Sequence, residues 1–174
     1  MLRSLVGSEM CIRDSFETDA QISPKGQYVS FIREQNIFVL DLKSGKETQL
    51  TTDGQGLIKN GMAEFVAQEE MGRMTGYWWA PDDSKIAFSQ IDESPVAEAV
   101  RNEIYADEIK LFNQRYPFTG TANVKVKLGV VAVQQPAVQW LDLGKEQDIY
   151  LARVNWSKSC LLYTSDAADD SLRV

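Results

Sequence analysis

A strand, a tight turn and a second strand recur along this chain, and the recurrence confines it to sheet architectures. Ile22-Ser23-Pro24-Lys25-Gly26-Gln27-Tyr28-Val29-Ser30-Phe31-Ile32 opens with a turn and continues as an alternating strand. Pro pre-sets the turn backbone and Gly supplies a positive φ. Tyr28, Ser30 and Ile32 then point to one face, Val29 and Phe31 to the other. Asn36 to Leu42 reads as the next strand, Lys43-Ser44-Gly45-Lys46 as a hairpin turn, and Glu47 to Thr51 as a shorter strand back, ending at Thr52-Asp53-Gly54. Short antiparallel strands joined in this way form a meander.

Gly76 to Ser89 repeats the theme around Ala80-Pro81-Asp82-Asp83. Val124 to Val133 with Val138 to Gly144 reads as a third, weaker copy, and Asp148 to Trp156 starts a further strand. Degenerate repeats of this kind, each a sheet unable to bury its own faces, signal a solenoid or a propeller. The uneven spacing favours insertions on one face over a regular solenoid. The expected fold is therefore all-β, with insertions on one face of a solenoid or propeller of antiparallel sheets. Trp78-Trp79 fits it, because neighbours on a strand face opposite ways and both are buried only where the sheet is covered on each side. An aromatic ligand platform is the alternative use of such a pair. Ser94 to Phe118 interrupts the pattern. Val96, Val100, Ile104, Ile109 and Phe112 fit a helix, Ile104 and Tyr105 equally an extended arm, and periodicity does not decide.

Charge and composition exclude several function classes. A net charge of -7 argues against nucleic acid, whose binders need a basic face. No run of about 18 apolar residues offers a membrane span. With no histidine in the 174 residues, the commonest general base and metal ligand are missing, and a complete Ser-His-Asp triad cannot form. Asp82, Asp83, Asp92 and Glu93 lack the spacing of a calcium loop and read as turn residues. Asn155-Trp156-Ser157 fits the glycosylation triplet, a pattern frequent by chance. No phosphate loop, dinucleotide fingerprint, zinc spacing or Gly-x-Ser-x-Gly elbow occurs, so no cofactor and no metal are expected.

Both cysteines lie in peculiar ends. Leu5 to Ser15 reads as a translated transposase-type sequencing adapter, and Cys160 to Asp169 as the same adapter from the other strand. Matches of this length at both ends count against coincidence. The expected organisation is 1–15 adapter-derived, 16–158 biological and 159–174 adapter-derived. No Cys11–Cys160 disulfide is inferred.

Glu69-Glu70, in Ala63-Glu64-Phe65-Val66-Ala67-Gln68-Glu69-Glu70-Met71-Gly72, lies between sheet segments and so belongs to a short helical insertion. Adjacent acids on a helix are ordinarily solubilising. Gly72, however, reads as the helix terminator. Both carboxylates then fall in the last turn, where the macrodipole disfavours them by about 0.3–1 kcal/mol each. They also repel one another unless a cation intervenes. An ammonium group would supply one through short, charge-assisted hydrogen bonds. Arg73 is a candidate for part of that charge in the empty state, or a plain helix-end arginine.

These residues resemble a family. Glu64-Phe65-Val66-Ala67-Gln68-Glu69-Glu70-Met71, then Gly76-Tyr77-Trp78-Trp79-Ala80-Pro81-Asp82 and Ile86-Ala87-Phe88-Ser89-Gln90, are similar to the N-terminal β-propeller of bacterial dipeptidyl peptidase IV. Tyr116-Pro117, Gly120 to Val131, Trp140 to Gly144 and Asp148 to Val154 continue the likeness over essentially all of 16–158. The resemblance implies that the chain is a partial β-propeller of about three blades, with Glu69-Glu70 on its helical insertion, from a propeller that caps an α/β-hydrolase domain bearing a Ser-Asp-His triad. It implies an enzyme that releases dipeptides with proline or alanine second from peptides with a free N-terminus. By it, Glu69 and Glu70 bind the α-ammonium, and Met71 and Arg73 lie near the substrate. It also implies a homodimeric, periplasmic or secreted parent. Without the hydrolase domain this polypeptide is expected to have no peptidase activity, and its open sheet edges to favour aggregation. A non-catalytic propeller used for binding or as a scaffold is the alternative.

Overall fold

The computed structural model describes residues 16–146 and 148–157, and the backbone of 161–166. The stretch 1–15 and most of 159–174, assigned above to adapter sequence, lie outside it. Four strands, β1 (Thr18–Ile22), β2 (Tyr28–Arg33), β3 (Asn36–Asp41) and β4 (Glu47–Gln49), form an antiparallel sheet in that order. The meander expected from Tyr28 onward is present, with β1 added on its outer side. No alternation betrays β1 in advance, since its residues are exposed or half-buried throughout.

The second sheet is organised by β7 (Lys85–Asp92). One edge pairs over its whole length with β10 (Lys125–Ala132), and β10 pairs in turn with β11 (Val138–Trp140). The other edge is shared by β5 (Ile58–Asn60), opposite Gln90 to Asp92, and β6 (Tyr77–Trp79), opposite Ile86 to Phe88. Val124 to Gly144 is thus not a third copy of the repeat. It supplies the remaining strands of the second sheet, carried back to β7 after a long hairpin. That hairpin, β8 (Glu98–Ile104) with β9 (Ile109–Arg115), settles the Ser94–Phe118 segment as extended. A third sheet begins with β12 (Tyr150–Trp156) paired to β13 (Leu161–Asp166), the latter inside the stretch read as adapter sequence. Ladder bonds are made by the backbone, so such pairing asks little of side-chain origin.

The second sheet is covered on both faces. On one, Tyr77, Trp79, Ile86, Phe88 and Val131 pack against Ile32, Ile37, Val39 and Leu50 of the first sheet. On the other, Ala87, Leu128 and Trp78 pack with Leu151, Val154 and Trp156. The two adjacent tryptophans therefore enter opposite cores, as strand alternation requires. Each fully buried Ile or Phe contributes about 1.5–3 kcal/mol of transfer free energy. Trp79 donates through Nε1 to the Ser30 hydroxyl (2.8 Å) and stacks on Tyr28 at 5.9 Å, so β2 and β6 are fixed in register across the interface.

Equivalent turns of neighbouring sheets are also tied together. The buried Asp83 carboxylate accepts from the Ser23 hydroxyl (2.6 Å) and the Lys25 amide (2.9 Å), linking the Pro81 turn to the Pro24 turn. Asp83 itself has φ of 65°, a left-handed conformation that Asp tolerates and Ala does not. Asp83→Ala is expected to cost about 2–4 kcal/mol from lost acceptors and backbone strain combined. Asp83→Gly, which loses the same acceptors but adopts the left-handed backbone without strain, should cost about 1 kcal/mol less. Urea unfolding of the two variants beside wild type checks both values, and equal losses would remove the strain component.

Candidate functional site

The helical insertion is an excursion from a broken strand. β5 and β6 run along the same edge of β7 and are interrupted at one residue, Ser89. The Gly61 amide donates to the Ser89 carbonyl (2.8 Å), and the Ser89 amide donates to the Gly76 carbonyl (2.8 Å). The Ser89 hydroxyl also lies 3.2 Å from the Met62 carbonyl and 3.1 Å from that of Gly76. Met62 and Thr75 bridge just beyond, so sixteen residues leave and return through one pinched neck, from Gly61 to Gly76. Only glycine fits there. A Cβ on Gly76 would stand 2.4 Å from the Met62 carbonyl carbon. Gly61 has φ of 72°, and a Cβ there would stand 2.7 Å from the Ile32 side chain.

Within the excursion, α1 (Phe65–Glu69) is short, and isolated helices of this length are not stable in water. Its ends are held by side chains. Glu64, 2% exposed, is the N-cap: one carboxylate oxygen accepts from the Ala67 amide (2.5 Å) and the other pairs with Arg73 Nη2 (3.3 Å). Ala67 is wholly buried beneath the helix, and Phe65 meets the Tyr116 ring at 5.1 Å, at the foot of the β8–β9 hairpin. At the other end Glu70 is the C-cap, Gly72 reverses the chain at φ of 62°, and the Arg73 amide returns to the Ala67 carbonyl (2.9 Å). The expectation that Gly72 ends the helix just after both glutamates is met.

Glu69 and Glu70 are exposed, and Met71 beside them is half-buried. Among the described residues neither carboxylate has an ion-pair or hydrogen-bond partner. Arg73 does not supply one. Its guanidinium is committed below the helix, to Glu64 and to the Thr75 carbonyl (2.9 Å), 5.8 Å over the Trp78 ring. Burial raises the Glu64 carboxyl above its ordinary value, against the Ala67 amide and the Arg73 charge. Burial likewise lowers Arg73, against the attraction of Glu64. Sequence reasoning missed Glu64, because Ser, Thr, Asp and Asn are the residues that announce an N-cap.

Trp78 is a floor rather than an open platform. It is half-buried, its carbonyl accepts from Trp156 Nε1 (2.9 Å), and its ring lies under Arg73. The turn acids behave as turn acids: Asp82 accepts from the Ser84 amide (3.1 Å) and Asp92 from the Ser94 amide (2.8 Å). No helix among the described residues is long and apolar enough to cross a membrane.

Antiparallel sheets stacked face to face, with an acidic helix let out through a glycine neck, define an arc of a β-propeller. The family model for the dipeptidyl peptidase IV (DPP IV) N-terminal region matches residues 4–166, and the chain belongs to that family. The crystal structure of Porphyromonas gingivalis dipeptidyl peptidase 4 superposes with a TM-score of 0.79 at 29% identity, over 86% of this chain and 22% of that one. Dipeptidyl aminopeptidase A of Saccharomyces cerevisiae is 29% identical over 144 residues, 79% of this chain and 15% of that protein. Inactive dipeptidyl peptidase 10 of Rattus norvegicus is 31% identical over 156 residues, 83% of this chain and 19% of that protein. The chain thus spans under a fifth of the length of these two curated relatives.

Glu64→Ala removes a cap and strands a buried guanidinium. It should destabilise the chain by about 3–5 kcal/mol, the range for breaking a buried pair from one side. Glu64→Gln, which keeps an acceptor for the Ala67 amide, should cost clearly less. Thermal unfolding with hydrogen exchange at residues 65–70 separates the two.

Proposed function

We propose that the chain is the amino-terminus-recognising part of a serine dipeptidyl peptidase, with residues 16–158 as its biological portion. The observation that carries this reading is the presentation of Glu69 and Glu70. They stand exposed at the end of a helix fixed by a glycine neck, with no cation of the described residues upon them. A peptide α-ammonium is the complementary group. Its hydrogen bonds to carboxylates are charge-assisted, each contributing about 1.5–3 kcal/mol.

Held by its amino end, a peptide has its second residue at a fixed distance from the anchor. A nucleophile placed there cuts after two residues, which is catalysis by proximity and orientation. An acylated N-terminus offers no ammonium and leaves the carboxylates facing an amide, so blocked peptides are rejected. Met71 lines the turn beside the anchor. The nucleophile, its base and the orienting acid come from an α/β-hydrolase domain of the same parent chain, since this chain has no histidine. Xaa-Pro and Xaa-Ala dipeptides are the products, and the parent is a periplasmic or secreted homodimer.

A second reading, a non-catalytic binding or scaffold propeller, is favoured by the 31% identity with a relative named as inactive. Sequencing the source locus downstream distinguishes the readings: a Gly-x-Ser-x-Gly elbow followed by Asp and His supports the peptidase, and their absence supports the scaffold.

In the parent enzyme, Glu69→Gln and Glu70→Gln are each expected to lower kcat/KM for a free-amine Xaa-Pro anilide about 10- to 100-fold. Steady-state turnover against the N-acetylated substrate measures the selectivity, and undiminished turnover of the free amine would refute the anchor.

A further inference from the structure

We propose that Glu64 and Arg73 are positioning residues, a buried clamp that sets where the Glu69 and Glu70 carboxylates stand; this rests on the amine-anchor reading above. Glu64 precedes the helix and Arg73 follows the Gly72 reversal, so their contact at 3.3 Å closes the segment carrying both glutamates into a ring. Each partner is also tied to the backbone of that ring. Glu64 holds the Ala67 amide (2.5 Å), and Arg73 returns its own amide to the Ala67 carbonyl (2.9 Å) while Nη1 donates to the Thr75 carbonyl (2.9 Å). Ala67 is thus gripped from both sides, one turn before the anchor. The guanidinium lies over Trp78, whose strand is paired to β7 and whose carbonyl is bound by Trp156. The clamp therefore joins the anchor to the rigid sheet.

The pair is an expensive way to fill this space. Its side chains are 2% and 9% exposed, and Arg73 Nε is buried with no hydrogen-bond partner among the described residues. Apolar side chains of similar volume commonly replace buried ion pairs without loss of stability. What they lack is direction: a guanidinium fork fixes distance and orientation together. A costly group retained beside an exposed, unpaired acidic anchor is accounted for by geometry, where stability alone would favour its loss.

The test uses the parent enzyme with the double substitution Glu64→Gln and Arg73→Met. Gln keeps an acceptor for the Ala67 amide, Met fills the space, and no unpaired charge is left. The expected result is a KM for the free-amine Xaa-Pro anilide raised about 10-fold or more, with kcat changed much less. Titration of the nucleophilic serine by a small organophosphonate, too short to reach the anchor, should proceed at the wild-type rate. Arg73→Lys, which keeps the charge but not the fork, should give an intermediate KM, and this variant alone decides if the double variant does not fold. A wild-type KM in whichever variant decides, with Glu69→Gln still raising it, would overturn the clamp and leave the anchor standing. A parallel loss of serine titration would also overturn it, by assigning the effect to general disruption. If Glu69→Gln and Glu70→Gln leave KM unchanged, the anchor reading itself fails and the clamp with it.

Discussion

Ser89 is the residue on which the helical excursion of this structure depends. In an uninterrupted ladder its amide and carbonyl would pair with one partner residue. Here they pair with two, Gly61 and Gly76, which are brought side by side although the chain between them makes a helix and the Gly72 reversal. β5 and β6 then behave as one strand along β7 with a loop drawn out of it. Because buried backbone groups must be paired, this arrangement keeps the ladder satisfied while allowing an excursion. The glycines follow from the geometry: a Cβ on Gly76 would run into the backbone of Gly61 and Met62, while Gly61 takes a positive φ with its Cβ position facing Ile32 and Ile37.

The neck and the clamp divide the work of holding the helix. The neck fixes where the excursion leaves the sheet, by backbone bonds that any sequence could make provided two glycines are present. It says nothing about how the far end is oriented. Orientation comes from buried side chains: Ala67 against the sheet, Phe65 against Tyr116, and the Glu64–Arg73 pair across the Gly72 reversal. A short helix without these would not persist, since its few internal hydrogen bonds do not offset the entropy of ordering it.

Local chemistry was the legible part of the sequence. Pro24-Lys25-Gly26 and Pro81-Asp82-Asp83 marked turns, Trp78-Trp79 marked a sheet covered on both faces, and Gly72 marked the helix end. Each depends on residues adjacent in the chain. Pairing at a distance was not legible. Val124 to Gly144 looked like another repeat because nothing local shows that Leu128 lies opposite Ser89 rather than in a sheet of its own. The β8–β9 hairpin stayed ambiguous because Val100, Ile104, Ile109 and Leu111 share one face of a ribbon that packs on nothing described, so no burial constraint sharpened its period. Arg73 shows the same limit within the site. Its charge is evident, but whether it pairs with Glu69 and Glu70 or with the more distant Glu64 is a question of chain reversal, answered only by the Gly72 turn.

That answer changes the electrostatics of the Glu69–Glu70 pair. Had Arg73 neutralised the glutamates, an incoming ammonium would have had to displace it, and most of the interaction energy would cancel. With Arg73 committed to Glu64, the two carboxylates face solvent beside one another at the negative end of a helix. In water their mutual repulsion is modest, below about 1 kcal/mol, and the helix end adds about 0.3–1 kcal/mol for each. Both terms are small, and both have the sign that a nearby cation relieves. On the proposed amine-anchor reading, an ammonium gains that relief in addition to its own hydrogen bonds, and a neutral ligand gains neither. If Glu69 and Glu70 read a free amino end as proposed, discrimination from a blocked one begins with where one arginine is held, several residues away from the two charges.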